Sequence, residues 1–273
     1  MVTVRNAPEM PAMGLGTYRR RGAEGQAAIE AGIEIGYRHL DTAQDYDTEK
    51  QVGAAWQASG LKRGAFFITT KVATPNLGAG DVLPSVNQSL ENLRTDQADL
   101  ILIHWPAPNE RVPLDVYVEQ IGEVFTRGLA RNIGVSNFTI AHIDAAQRIL
   151  GEIPVLTNQV EVHPYLQNKK LVEHCHNVGV SITCYQPLAH GDVASDPLLA
   201  EIGAAHDAGA DQVALAYLME RNLCVIPSSA RKDRMQRNFD AQKITLTEND
   251  MERIARLDRG ERHISPVWGP EWD

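Results

Sequence analysis

The chain has few of the features that mark secreted, membrane-embedded or disulfide-linked proteins. Its three cysteines, Cys175, Cys184 and Cys224, are odd in number and form no CxxC pair, so we expect buried free thiols. No apolar run approaches the roughly 20 residues that a membrane helix needs. The opening MVTVRNAPEMP also lacks the apolar stretch of a signal peptide. These absences predict a cytoplasmic protein without a membrane partner.

Positive charge is scarce as well. The chain carries 26 basic against 35 acidic residues, a formal net charge of -9, which argues against a general affinity for nucleic acid. Its 43% hydrophobic and 22% charged residues are ordinary for a globular protein. A (β/α)8 barrel takes about 250 residues. The 273 residues therefore predict one domain over 1–273, and we expect a monomer.

Short apolar runs alternate with segments of helical spacing along the whole chain. Helices are predicted near 24–35, 48–58 and 248–257. The runs are uniformly apolar, as in parallel strands covered on both faces. Eight strands are predicted, at 13–16, 39–40, 66–70, 100–103, 130–135, 156–160, 180–184 and 223–226. The fold class is therefore α/β, a (β/α)8 TIM barrel.

The first predicted strand is not followed by the GxGxxG of a dinucleotide-binding doubly wound sheet. Gly14-Leu15-Gly16 continues into Thr17-Tyr18-Arg19 instead. This absence favours the barrel over the open sheet. Any dinucleotide would bind without that glycine pattern.

The predicted strands end on polar residues that can carry chemistry. Asp41, Tyr46, Lys71 and His104 follow three of them, and catalytic groups of a barrel lie at these ends. Taken alone, each of these residues would be assigned a structural role, as a turn, surface or core residue. Together they form a proton-donating site that suits carbonyl reduction. Because no side chain donates a hydride, a nicotinamide cofactor is expected.

Several segments resemble the signatures of the aldo-keto reductases, over a range from the first strand to the C-terminal tail. Gly36 to Ala43, with Glu49 and Val52-Gly53, match the first signature, and Ile133 to Phe138 match the second. LIHWP at 102–106 is also typical, and 226–238 carry the third in altered form. YLQN at 165–168, IPSS at 226–229 and the final PEWD resemble the bacterial 2,5-diketo-D-gluconate reductase B group, which reduces methylglyoxal and similar small carbonyls.

The resemblance implies an NADPH-dependent oxidoreductase that reduces small aldehydes or ketones, and it implies a role for each matching residue. Tyr46 is the proton donor, Lys71 lowers the pKa of its phenol, Asp41 holds Lys71, and His104 orients the carbonyl. Tyr185 stacks on the nicotinamide, whose carboxamide binds Ser136, Asn137 and Gln159. The other implied cofactor residues are Thr17, Asp41, Leu188, Ser228, Ser229, Arg234 and Asn238. The implied substrate residues are Tyr18, Tyr46, Asp47, His104, Trp105 and Trp268.

Residues 228–238, with Lys243 beyond them, gather five basic side chains in an acidic protein. Barrels often bind phosphate at this end, so we expect the adenosine 2'-phosphate of NADPH here. Ser228 stands where the family pattern has lysine, and Arg237 where it has glutamate. Arg234 and Asn238 are retained, and Arg231 or Arg237 could assist Arg234. A solvated basic helix face is the alternative.

Two other functions stay open. A cofactor-binding regulatory subunit of the same fold would keep the cofactor site but turn over slowly. A Schiff-base lyase would use Lys71 as nucleophile. Bound metal is disfavoured, and no metal ligands are assigned. Successive residues of a helix point about 100° apart, so His174 and His176 of the run His174-Cys175-His176 cannot easily face one ion together. His163 lies earlier in the chain.

Overall fold

The computed structural model describes residues 3–4 and 7–273. A short antiparallel hairpin, β1 (Thr3–Val4) with β2 (Ala7–Pro11), precedes a barrel of eight parallel strands joined in chain order. The barrel strands are β3 (Gly14–Gly16), β4 (His39–Asp41), β5 (Phe67–Val72), β6 (Ala98–Ile103), β7 (Ala130–Ser136), β8 (Val155–Glu161), β9 (Ser181–Tyr185) and β10 (Cys224–Val225). The predicted (β/α)8 barrel is confirmed.

The barrel closes between its first and last strands. Met13 forms a parallel bridge with Val225, and the Val225 N–H donates to Ala12 O at 2.8 Å. Two residues further on, the Gly16 N–H donates to Pro227 O at 3.1 Å. A Cβ on Gly16 would lie 2.8 Å from Ile226 O, so only glycine allows this close approach. The closure brings the end of β3 next to Ser228.

Helices surround the barrel on its outer side. They are α1 (Gly22–Ile35), α2 (Glu49–Ala58), α3 (Val82–Leu93), α4 (Leu114–Thr126), α5 (Ile140–Leu150), α6 (Lys169–Asn177), α7 (Pro197–Ala205), α8 (Ala210–Glu220), α9 (Lys232–Asp240) and α10 (Glu248–Ala255). Among the described residues, no helix is long and apolar enough to cross a membrane.

The uniformly apolar strands follow from burial on both faces. In β6, Ile101 and Ile103 pack in the large outer core, which extends to the helices. The alternate residues Leu100 and Leu102 belong to a second cluster with Met10 of the hairpin, which fills the barrel interior. The hairpin therefore covers the N-terminal end of the barrel, and the C-terminal end is left for the polar residues.

The C-terminal tail reaches this open end. The Ile140 N–H, at the start of α5, donates to Asp273 Oδ2 at 3.0 Å. The Trp268 and Trp272 rings lie 5.3 and 6.1 Å from the Trp105 ring, which follows β6. These contacts place the tail over this end of the barrel. The three cysteines are buried and free, as expected.

Candidate active site

Three neighbouring strands deliver the proposed catalytic residues to one end of the barrel. Asp41 ends β4, Lys71 lies near the end of β5, and His104 follows β6 directly. Tyr46 lies in a 3-10 turn, Gln44–Tyr46, between β4 and α2. Because parallel strands share a direction, their C-terminal ends meet at one rim. All four side chains gather there and are called the tetrad: Asp41, Tyr46, Lys71 and His104.

The Lys71 ammonium has three acceptors and no exposed surface. Its Nζ lies 2.5 Å from Asp41 Oδ1, 2.9 Å from Thr42 O and 3.4 Å from Tyr46 OH. These contacts match the three N–H donors of an ammonium. Since the Tyr46 oxygen accepts from Lys71, its own O–H is free to donate to a substrate.

The electrostatic tuning of Tyr46 differs from the prediction. Although part of the residue is exposed, burial is the largest cause that raises the Tyr46 pKa well above its usual value. The charges of Asp41 and Asp45 raise it further. Lys71 is not among the causes of this shift, so the expected lowering of the Tyr46 pKa by Lys71 is not seen in this structure. Burial lowers the pKa of Lys71 itself, and Asp41 opposes that shift.

His104 is buried beside Tyr46, with the two rings 5.5 Å apart in an edge-to-face arrangement. Its Nδ1 lies 3.2 Å from Asp45 Oδ2. Burial lowers the pKa of His104, and the hydrogen bond to Asp45 opposes this shift. The sequence reasoning did not identify Asp45. Its only signal there was its place directly before Tyr46.

The predicted nicotinamide residues form a connected network beside the tetrad. Gln159 Nε2 donates to Asp41 Oδ2 at 2.7 Å, and Ser136 Oγ donates to Gln159 O at 2.7 Å. Asn137 Nδ2 donates to Ser136 Oγ at 3.0 Å, and Tyr185 OH donates to Asn137 Oδ1 at 2.8 Å. The structure brings these residues together, while their binding of a carboxamide stays a prediction.

Thr17 and Leu188 have structural contacts in this structure. The buried Thr17 hydroxyl donates to Asp41 O at 2.9 Å, so it supports the end of β4. Leu188 is partly buried and packs against the outer core. Their expected cofactor contacts stay predictions.

The predicted phosphate-binding residues surround the start of α9. Ser228 and Arg234 are exposed, Ser229 is partly buried and Asn238 is buried. The other basic side chains form ion pairs: Arg231 with Asp233, Lys232 with Glu34, Arg237 with Asp211 and Lys243 with Asp240. Within the described residues, 3–4 and 7–273, the Arg234 side chain forms no ion pair. The unpaired guanidinium of Arg234 fits an anion, and assistance from Arg231 or Arg237 stays a prediction.

Aromatic side chains line the rim around Tyr46. The Tyr18 ring, 47% exposed, meets the Tyr46 ring edge-on at 5.1 Å. Trp105 and Trp268 form a second wall, and Asp47 is exposed next to Tyr46 with a left-handed φ of 56°. All the predicted substrate residues thus lie at the C-terminal end of the barrel.

The histidine run of α6 does not form a cluster with His163. His174 Nε2 lies 2.7 Å from Asp144 Oδ1, while Cys175 is buried. Among the described residues, the groups of three potential metal ligands include none from this run. One of those groups contains Glu161, His163 and His263, but its carboxylate already accepts from His163 and from the His263 and Ile264 N–H groups. The assignment of no metal ligands stays a prediction.

A TIM barrel with this tetrad at its C-terminal rim has the architecture of a barrel oxidoreductase. The aldo/keto reductase family model matches residues 12–259, and the chain belongs to that family.

Individual relatives are similar over nearly the full chain. The methylglyoxal reductase DkgB of Escherichia coli O157:H7 is 42% identical over 265 residues, covering 97% of this chain and 99% of that protein. The glyoxal reductase of Bacillus subtilis is 34% identical, covering 96% and 94%. A crystal structure described as a 2,5-diketo-D-gluconic acid reductase B superposes with a TM-score of 0.96 at 39% identity, covering 100% and 98%. The chain is an oxidoreductase, an aldo-keto reductase of carbonyl compounds.

Proposed function

We propose that this protein reduces small aldehydes and ketones, such as methylglyoxal and 2,5-diketo-D-gluconate, to alcohols with NADPH, and that Tyr46 donates the proton. The observation that carries the proposal is the buried contact of Lys71 with Asp41 and Tyr46. It leaves a protonated phenol at the rim, next to the imidazole of His104. Bound NADPH supplies the hydride.

The chain's own residues orient the carbonyl and stabilise charge on its oxygen. The Tyr46 O–H gives its proton to the substrate oxygen as negative charge develops there. The Lys71 ammonium, at 3.4 Å, stabilises the phenolate that remains. The aromatic rings of Tyr18, Trp105 and Trp268 border the rim at which the substrate would bind.

The same geometry disfavours the Schiff-base alternative. A nucleophilic lysine must be neutral and must have a free lone pair. Lys71 Nζ instead faces three acceptors, one of them a carboxylate at 2.5 Å. An ammonium held this way has no nucleophilic electrons.

Steady-state reduction of methylglyoxal, with NADPH oxidation followed by absorbance, tests the activity. A panel that adds glyoxal, 2,5-diketo-D-gluconate and a bulky steroid ketone tests the substrate class. We expect turnover of the small carbonyls and none of the steroid. Tight cofactor binding with negligible turnover of every carbonyl would support the regulatory-subunit alternative instead.

The preference for NADPH is tested at Arg234. A charge-assisted hydrogen bond contributes about 1.5–3 kcal/mol, so Arg234→Ala should weaken NADPH binding about tenfold or more. NADH binding should hardly change. Arg231→Ala is the matched control, because it removes the same charge from a side chain already paired with Asp233. Equal weakening of both cofactors in Arg234→Ala would show that Arg234 does not bind the 2'-phosphate.

A further inference from the structure

We propose that Asp45 is a positioning residue for His104. It keeps a proton on Nδ1, so that Nε2 donates a hydrogen bond to the substrate oxygen only while the imidazole is protonated. The inference rests on the proposed carbonyl reduction. It adds a residue outside the tetrad and gives the reaction a pH dependence of its own.

The contact between the two side chains fixes which ring nitrogen carries the proton. Asp45 Oδ2 lies 3.2 Å from His104 Nδ1. An ionised carboxylate can only accept, so Nδ1 must be the donor. A neutral imidazole has one N–H, and its second nitrogen then carries a lone pair. In the neutral ring Nε2 can accept a hydrogen bond but cannot donate one to a carbonyl oxygen.

The backbone of His104 is held independently of Asp45. The His104 N–H donates to Val72 O at 3.1 Å, and Asn137 Nδ2 donates to His104 O at 3.0 Å. The ring itself contacts Asp45 and the edge of Tyr46. Removing the Asp45 carboxylate should therefore change the protonation and tautomer of the ring without displacing the strand end.

The charged groups around His104 act in opposite directions. Burial and the Lys71 ammonium disfavour the imidazolium, whereas the Asp45 and Asp41 carboxylates favour it. Tyr46 stays a neutral phenol beside the ring, because its pKa is raised well above the usual value. The titration of His104 therefore falls at lower pH than that of Tyr46, and the two can be separated.

The proton balance of the reaction keeps the two roles apart. The substrate oxygen takes its proton from Tyr46, and the substrate carbon takes the hydride. The imidazolium of His104 donates a hydrogen bond and keeps its own proton throughout. When rising pH removes that proton, from Nε2, the developing oxyanion loses one donor, and kcat/KM for reduction declines.

Asp45→Asn tests the inference by its pH profile. The uncharged amide should move the decline of kcat/KM to lower pH. It should also make the decline shallower, because the amide N–H can donate to Nδ1 and allow a proton on Nε2. At neutral pH we expect kcat/KM to be roughly 2- to 10-fold higher in the variant, the effect of the one hydrogen bond that Nε2–H restores. Asp144→Asn is the matched control, since Asp144 contacts His174 at 2.7 Å away from the tetrad, and its profile should equal that of the wild type.

The second measurement does not depend on activity. Imidazole ¹⁵N spectra of histidine-labelled protein, with His104 assigned by its loss in His104→Gln, report the protonated nitrogen directly. We expect Nδ1–H in the neutral wild type and a gain of Nε2–H in Asp45→Asn. Nε2–H in the neutral ring of the wild type, or an unchanged ring in the variant, would overturn the inference. Expected spectra without carbonyl turnover would instead count against the proposed function.

Discussion

Lys71 is the residue on which the site depends, since its ammonium is removed from water and held by protein acceptors alone. The three contacts, to Asp41, Thr42 and Tyr46, satisfy the charge and fix the phenol next to it. Buried ion pairs are costly to form, but removing one partner costs more, because the other charge is left unpaired.

Lys71→Met should therefore affect both stability and turnover. We expect unfolding in urea to show a loss of about 3–5 kcal/mol, together with a large loss of kcat. The double variant Asp41→Asn/Lys71→Met should regain part of the stability but none of the activity. A stable single variant with normal kcat would contradict the role of the pair.

Sequence reasoning identified the residue types of the site better than their energetics. Asp41, Tyr46, Lys71 and His104 were predicted because they follow apolar runs, and Asp41 and His104 also lie in segments that resemble family motifs. The sign of the Tyr46 pKa shift differs from the prediction, because burial and the charges of Asp41 and Asp45 raise this pKa, and the sequence does not show burial. Asp45 was missed, since nothing in the sequence shows that it reaches His104.

At the scale of elements, the close contact of α2 and α3 depends on Gly53. A Cβ at this position would lie 2.4 Å from Asn92 O and 2.8 Å from Leu93 C, both backbone atoms. Backbone cannot rotate away as a flexible side chain can. Gly53 therefore allows the two helices to pack at this distance, and α2 directly follows the turn that carries Tyr46.

Gly53→Ala should force the helices apart and destabilise the fold by about 1–3 kcal/mol, the usual cost of overpacking. Gly64→Ala is the control, because a Cβ there meets nothing within 4 Å and its φ is not left-handed. The comparison is made by urea denaturation of both variants. Equal stability of the two would show that α2 and α3 can adjust without cost.

The barrel strands were predictable because burial on both faces leaves a uniformly apolar run. The observed strand bounds differ from the predicted ones by at most two residues at either end, and the last strand is shortened to Cys224–Val225. The N-terminal hairpin was missed, since a two-residue strand and the two prolines of Ala7–Pro11 give no strand pattern. Its Met10 packs with Leu100 and Leu102 of the barrel interior, a tertiary contact that no local sequence pattern shows.

At the scale of the whole molecule, Glu161 at the end of β8 holds the C-terminal segment to the barrel. Its wholly buried carboxylate accepts the His263 and Ile264 N–H groups at 2.8 Å, and His163 Nε2 at 3.0 Å. Burial, the largest single cause, raises the Glu161 pKa, but these hydrogen bonds together bring it below the usual value.

A carboxyl with a depressed folded pKa stabilises the fold above its unfolded pKa, about 4.3 for glutamate. That stability is lost as the pH falls from this value through the lower folded one. Glu161→Gln should therefore be less stable at neutral pH and should lose less stability on acidification, as measured by urea unfolding from pH 7 downward. Glu152→Gln, at an exposed position, should follow the wild type. Parallel stability curves for the wild type and Glu161→Gln would contradict this role of Glu161.

The central claim is that Tyr46 gives the proton in a carbonyl reduction, and Tyr46→Phe tests it most directly. The ring and its contacts with Tyr18 and His104 remain, and only the transferable proton is removed. A general acid contributes about 10²- to 10⁴-fold, so kcat for methylglyoxal should fall by at least about 100-fold while NADPH affinity stays unchanged. Retention of more than about a tenth of the wild-type kcat would contradict the account.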